Sequence, residues 1–319
     1  MAYHEMGTNH IYSTYYAPRG RGRIFDLGIQ IAQTYLSPFD HIIGVIGEAG
    51  SGKSVLIKGM FPGLELTNDD DGVNVRPLPL LEQDMETGFF TPHTYHVDIR
   101  FEMGFRPLNQ LAEAIEQAIH RGKRVIIEHF DLIYPMLGTN ADLLIGVGEE
   151  IVITRPRLFG PTPQEICDIV YKSLPYRLMA HTAEDLCEYC MPAEELERCV
   201  HGDVKHGFVM AFPDTPPKID LGDLETRVNA LIGEGLPIDY VDESHIRIGG
   251  KLHDCTGPRT HVSNTKQIKG FRLLRHTIYD KKRKSYLIVG CVGEDSEDML
   301  RKLDDSATLY SQSAISVYP

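Results

Sequence analysis

The most constraining stretch of the chain is Ile42-Ile43-Gly44-Val45-Ile46, followed without a break by Gly47-Glu48-Ala49-Gly50-Ser51-Gly52-Lys53-Ser54. An uninterrupted run of strand length, rich in β-branched residues, reads as a strand buried on both faces. The segment after it satisfies G-x-x-x-x-G-K-[ST] at every fixed position and continues as a helix over about 53–60. Glycines at 47, 50 and 52 let backbone N–H groups turn inward around phosphate oxygens. Lys53 would reach the β- and γ-phosphates, and the Ser54 hydroxyl would ligate Mg²⁺. The helix directs its positive end at the same anion. The whole of Gly47–Ser54, with Glu48, Ala49 and Ser51, is therefore expected to line the phosphates of a nucleotide, with ATP and Mg²⁺ as ligands.

The neighbouring sequence extends this into an α/β domain. Ile24, Leu27, Ile31 and Tyr35 recur at helical spacing, as do Leu108, Leu111, Ile115 and Ile119 between Pro107 and Gly122. Val125-Ile126-Ile127 reads as a second buried strand, ending at Glu128, and Ile145 and Ile151–Ile153 mark later ones. Strand alternating with helix implies a parallel sheet with flanking helices. Residues 1–23, polar and aromatic and ending in Arg19-Gly20-Arg21-Gly22-Arg23, are expected to form a solvated flexible arm. A phosphate site also needs a carboxylate to organise Mg²⁺ and a base for the acceptor. Glu128 at its strand end suits the first role. Asp70, in the run Asp69–Asp71 after an expected strand at Leu64–Leu66, suits the second, with Asp98 as a further candidate. The expected catalytic set is Lys53, Asp70 and Glu128.

Gly47–Ser54, the acidic turn Asp69–Asp71 and Ile126-Ile127-Glu128-His129-Phe130-Asp131-Leu132 together resemble the uridine kinase and phosphoribulokinase group of P-loop kinases, over residues 40–155. That resemblance implies Mg-dependent transfer of a phosphoryl group from ATP to a nucleoside or another small acceptor. The basic lid of the group has no obvious counterpart here, although Arg155 and Arg157 could serve.

Three prolines and a glycine in Arg155–Pro163 mark the expected boundary, giving a nucleotide-binding domain over 1–160 and a second domain over 161–319. The second half opens with a helical run at about 164–173. An alternating strand at Gly207–Phe212, a helix at about 222–234 and further strands follow, the order of an α+β domain. Two metal arrangements compete in it. His181 and Asp185, four apart on one helix face, could join Cys255 and His261 from a Gly/Pro loop to hold Zn²⁺. Alternatively, Cys187-x-x-Cys190 with Cys199-x-His201 could form a local site. Residues 175–292 resemble the editing (second additional) domain of threonyl- and alanyl-tRNA synthetases. His181–Leu186, Val204–Phe212, Asp254–Pro258 with His261–Thr265, and Phe271–Leu274 carry the likeness. It favours the first arrangement and implies zinc binding beside a pocket that hydrolyses mischarged aminoacyl-tRNA. The chain departs from that family's pattern twice: Asp185 stands where a second His belongs, and Arg259 and Thr260 lengthen the Cys–His loop.

A length of 319 residues suits two domains of about 150 each. With 32 Lys and Arg against 45 Asp and Glu, the net charge of −13 argues against a broad nucleic-acid surface. Any tRNA contact would run through a local cluster such as Lys281-Lys282-Arg283-Lys284, which reads first as a solvated turn, so tRNA is not the favoured partner. No stretch approaches the roughly 20 apolar residues of a membrane helix, and the N-terminus has no apolar signal core. A cytoplasmic setting is expected, with the six cysteines as thiols or metal ligands. The leading expectation is an ATP-dependent phosphotransferase with an appended editing-like domain. The alternatives are a zinc-dependent aminoacyl-tRNA deacylase with a regulatory P-loop domain, and a non-catalytic nucleotide-dependent binder of RNA or protein. The acceptor and the oligomeric state stay open.

Overall fold

The computed structural model describes residues 12–64, 66, 90 and 93–313. The chain divides into two compact units. One holds the residues up to Ala17 together with Arg21–Ser173, and the other holds Pro18–Gly20 with the residues from Leu174 onward.

The first unit carries strands β1 (Ser13–Tyr16), β2 (Ile42–Ile46), β3 (Thr94–Asp98), β4 (Arg124–Glu128), β5 (Leu143–Val147) and β6 (Glu150–Thr154). Its helices are α1 (Arg21–Tyr35), α2 (Lys53–Met60), α3 (Ile99–Glu102), α4 (Leu108–His120) and α5 (Phe130–Leu137). The strands form one sheet in the order β1-β6-β5-β2-β4-β3. β3, β4, β2 and β5 run parallel, whereas β6 and β1 are antiparallel to their neighbours. The sheet is thus mixed rather than wholly parallel. Only Gly148 and Glu149 separate β5 from β6, too few residues for the crossover a parallel pair needs.

Side-chain alternation explains the continuous apolar runs. Ile43 and Val45 of β2 and Ile126 of β4 pack with Ile24, Ile31 and Leu56 on one face of the sheet. Ile42, Ile46, Val125 and Ile127 pack with Leu111, Ile115 and Phe130 on the other. In its described part, residues 12–23, the expected flexible arm is replaced by structure: residues 13–16 pair with β6, and Arg21–Arg23 open α1. Arg19 is 5% exposed.

A 28-residue helix, α6 (Pro163–Cys190), follows β6. Pro163 takes its first position, where a missing N–H has no intrahelical acceptor to lose. The prolines near 160 therefore end a strand and start a helix. The division between units falls instead at Ser173/Leu174, inside α6, and the helix runs on through the His/Cys segment.

The second unit continues with α7 (Ala193–Leu196), β7 (Val200–Val204), β8 (Gly207–Pro213), α8 (Leu221–Glu234), β9 (Ile238–Asp242), β10 (His245–Ile248) and β11 (Lys251–Asp254). Strands β12 (Arg272–Leu273), β13 (Ile278–Asp280) and β14 (Ser285–Cys291) and helix α9 (Ser296–Ser313) complete it. One antiparallel sheet has the order β11-β10-β9, and another the order β12-β14-β8-β7 with β13 added on β14. Phe208, Met210 and Phe212 alternate inward from β8 onto Ala180, Ala183 and Leu186 of α6 and Val228 of α8. The basic cluster 281–284 is the exposed turn between β13 and β14. Among the described residues no helix is long and apolar enough to cross a membrane.

Two glycines set the contact between α1 and α2. A Cβ on Gly59 would lie 2.2 Å from the Phe25 carbonyl oxygen, and one on Gly28 2.4 Å from that of Leu56. Both obstacles are backbone and cannot rotate away. Gly59→Ala should cost about 1–3 kcal/mol in urea unfolding. Gly22→Ala, where a Cβ meets nothing within 4 Å, should cost nothing.

Candidate functional site

The glycine-rich loop leaves β2 at the C-terminal end of the parallel strands. Gly50 and Gly52 take φ values of 78° and 94°, a region that a Cβ disfavours and glycine enters freely. They turn the chain so that α2 begins at Lys53. Lys53 is buried, its Nζ donating to the Glu48 carbonyl at 3.0 Å and lying 3.6 Å from Glu128 Oε2. Ser54 Oγ donates to Glu128 Oε1 at 3.2 Å, and His96 Nε2 meets the same oxygen at 3.1 Å. Glu128 reaches the loop because β4 lies beside β2 in parallel, with Glu128 in register with Val45. Burial raises the Glu128 carboxyl pKa, but the His96 hydrogen bond and the nearby charges of His96, Lys53 and His129 outweigh it and hold the group below its usual range.

Of the expected catalytic residues, the structure brings Lys53, Ser54 and Glu128 together. Asp69, Asp70 and Asp71 lie outside the described residues. Asp98 ends β3 in register with Glu128 and accepts from the Phe101 N–H at 3.1 Å, capping α3. Glu48 accepts from the Ala49 N–H and from Arg100 at 2.6 Å, and the two bonds lower its pKa.

Arg155 is not a lid residue. It pairs with both oxygens of Asp40, at 2.7 and 2.9 Å, and bonds the Tyr35 carbonyl. Because β6 runs antiparallel to β5, its end at Thr154 carries Arg155 and Arg157 to the end of the sheet away from the loop.

One residue of this site has no role in the sequence reading. His129, next to Glu128, is 3% exposed with a left-handed φ of 56°. Its Nδ1 has no hydrogen-bond partner among the described residues. Asp98, Glu128 and His129 offer ligand atoms within 4.8 Å of one another. The pairing of β3 with β4 brings Asp98 to the adjacent Glu128 and His129, and residue spacing carries no trace of that pairing.

In the second unit His181, Asp185, Cys255 and His261 converge, each offering one ligand atom within 4.8 Å of the others. His181 and Asp185 share a face of α6, and Cys255 follows β11. The two extra loop residues do not carry His261 away: its Nε2 lies 3.7 Å from Cys255 Sγ and 2.8 Å from Asp185 Oδ2. His181 Nε2 lies 3.6 Å from Cys255 Sγ and 3.7 Å from Asp185 Oδ1. Zinc–nitrogen bonds of about 2.0–2.1 Å and zinc–sulfur bonds of about 2.3 Å at tetrahedral angles place ligand atoms roughly 3.3–3.6 Å apart. Three of the separations, 3.6, 3.7 and 3.7 Å, are near those of ligands around one zinc ion, whereas the 2.8 Å between His261 and Asp185 is a shorter, hydrogen-bond distance.

The outer contacts prepare the same donors. His181 Nδ1 donates to the carbonyl of Thr260 at 3.0 Å, and His261 Nδ1 to that of Pro258 at 3.1 Å. A carbonyl only accepts, so each neutral ring turns the lone pair of Nε2 toward the cluster. Burial, then the neighbouring His261, pushes the His181 pKa well below the usual imidazole value. Burial raises that of Asp185, but His181 and His261 outweigh it and hold the carboxyl low. Burial and then Asp185 push the Cys255 thiol up.

More charge surrounds this cluster. Arg19 bonds Glu184 at 3.1 Å, Asp203 at 2.9 Å and the carbonyls of Gly202 and Gly207. His201 Nδ1 lies 3.2 Å from Glu184 and 3.4 Å from Glu188, and His253 Nε2 lies 3.7 Å from Glu188. Burial, followed by Asp185, pushes the Glu188 carboxyl up to about 8. Among the described residues the alternative set of Cys187, Cys190, Cys199 and His201 does not form a metal-holding group. Cys187 and Cys190, three apart on α6, face its apolar core instead.

No protein-family model matches the chain, and no curated protein matches it.

Arg19 should be a stability determinant rather than part of a solvated arm. Arg19→Met leaves Glu184 and Asp203 without their shared guanidinium. A loss of about 3–5 kcal/mol in urea unfolding is expected, as for other broken buried ion pairs.

Proposed function

We propose that the chain is an ATP-binding, Mg-dependent phosphotransferase, with the phosphate site built on Gly47–Ser54 and Glu128. The observation that carries this reading is the 3.2 Å bond between Ser54 and Glu128 beside the buried Lys53. A hydroxyl and a carboxylate from two different elements meet where the glycine-rich loop turns into a helix, and together they offer the hard oxygen ligands Mg²⁺ takes. Ser54 and Glu128 would hold the ion, which when bound neutralises charge on the phosphates. Backbone N–H groups of the loop would cradle the phosphate oxygens. Lys53 would exchange the Glu48 carbonyl for β- and γ-phosphate oxygens and stabilise the charge that develops there. One of Asp69–Asp71, or Asp98 beside Glu128, would accept the proton of the acceptor hydroxyl. The resemblance to the uridine kinase group supports a nucleoside or other small molecule as that acceptor.

Calorimetric titration with Mg·ATP tests the binding step, and an ATP-consumption screen over nucleosides, amino acids and tRNA tests the transfer. Lys53→Ala should abolish both signals. Full phosphoryl transfer by that variant would overturn the proposal, and binding without turnover of any acceptor would leave a nucleotide-dependent binder.

A specific observation favours a second reading for the other unit, a zinc-dependent aminoacyl-ester hydrolase. His261 Nε2 and Asp185 Oδ2 stand 2.8 Å apart while the ring's other nitrogen donates to a carbonyl. A proton or a metal cation must lie between two acceptors that close, and the convergence of His181 and Cys255 on the same pair supplies the four donors that Zn²⁺ takes. These four would hold the ion. When bound it supplies a fixed positive charge, and as in the synthetase editing domains a water or the substrate's own hydroxyl would attack the ester. Elemental analysis of the purified chain should find zinc, and Cys255→Ala should lower its content by one ion per chain. A chain without stoichiometric zinc contradicts this reading.

A further inference from the structure

The four-donor cluster does not exhaust the metal-ligating groups on its helix. His181, Asp185 and Glu188 fall at i, i+4 and i+7 of α6 and so project from one face. Opposite them, His253 and Cys255 are two apart along extended chain at the end of β11, the spacing that sends both side chains to the same side. Asp185, Glu188 and His253 form a second group, with one ligand atom from each within 4.8 Å of the others. His253 Nε2 is buried without a hydrogen-bond partner among the described residues, and it lies 3.7 Å from Glu188 Oε2. That separation is too long for a hydrogen bond but suits two ligands of one ion.

From this placement we infer that the second unit holds two divalent transition-metal ions rather than one. Asp185 is their shared ligand, and Glu188 and His253 complete the second site. The inference rests on the zinc reading of the first cluster and extends it. A carboxylate can serve two ions because it has two oxygens and about four lone-pair positions, whereas a neutral imidazole has one free lone pair. The midpoints of the two helical ligand pairs differ by about one turn, so the ions would lie roughly 5 Å apart along α6. The sites differ in kind. The first has four protein donors and is closed. The second has three, which leaves a position for an oxygen ligand such as water or an ester carbonyl, the pattern of catalytic rather than structural zinc sites.

The test uses the full chain, loaded with zinc, freed of excess metal and measured by plasma mass spectrometry. The wild-type chain should carry two ions, and Glu188→Gln and His253→Ala one each. Cobalt titration separates the two sites. The first equivalent should give a thiolate-to-cobalt charge-transfer band from Cys255, and the second only weaker ligand-field bands. Glu188→Gln should lose the second phase and keep the first, which also shows that the variant is folded. One zinc in the wild-type chain overturns the inference and leaves the first site standing. No zinc overturns both readings. Two ions retained in Glu188→Gln and His253→Ala would place the second ion elsewhere and likewise overturn the inference.

Discussion

In register with Val45, Glu128 ends a strand parallel to the one that enters the glycine-rich loop, and the chemistry of the first unit depends on that pairing. A carboxylate that is 1% exposed stays ionised only where cations and donors replace water. Here Lys53 and Ser54 do so from α2 and His96 from β3. Each of these partners is itself buried or half-buried, so each is satisfied in turn by reaching Glu128. Shifting β4 by one residue would reverse the face of its side chains. Glu128 would leave the loop, and Ile126 would lose its place among the residues packed by α1 and α2. The core and the site are thus fixed by the same register.

The second unit meets a comparable constraint along a helix. Glu184, Asp185 and Glu188 lie within one turn of α6, and all are buried or nearly so. Three carboxylates that close together repel one another unless positive or proton-donating groups intervene. Arg19 and His201 serve Glu184, His181 and His261 serve Asp185, and His201 and His253 approach Glu188. These partners come from positions 19, 201, 253 and 261 as well as from the helix itself. The acids therefore organise a large part of the second unit's polar interior.

What could be read from the sequence divides along physical lines. Gly50, Gly52, Lys53 and Ser54 are legible because the local backbone and the ligand chemistry demand those residue types within a few positions. The i, i+4 spacing of His181 and Asp185 is legible for the same reason. The direction of β6 is not, because it depends on where two strands end around Gly148 and Glu149. Nothing local to Arg155 shows that it is engaged, because its partner, Asp40, is 115 residues earlier in the chain. His96 enters the first site only through the pairing of β3 with β4, and His129 enters it through its left-handed φ directly after β4. The place of Arg19 is not legible either, because arginine among glycines resembles solvated chain. Burial beside Glu184 and Asp203 is a tertiary fact with no local signature.

The Asp at position 185 has an electrostatic consequence for any ion held there. Thiolate and carboxylate together cancel the two charges of a divalent metal, whereas an imidazole at 185 would leave one positive charge uncompensated. A neutral assembly is the easier one to bury, and His181 and Asp185 are 2% and 3% exposed. The same neutralisation weakens the ion as an electrophile, and four protein donors leave it no position for water. Hydrolytic chemistry in this unit would then draw its nucleophile from beyond the closed set. That argument gives weight to the adjoining Glu188 and His253, which with Asp185 offer three ligand atoms rather than four.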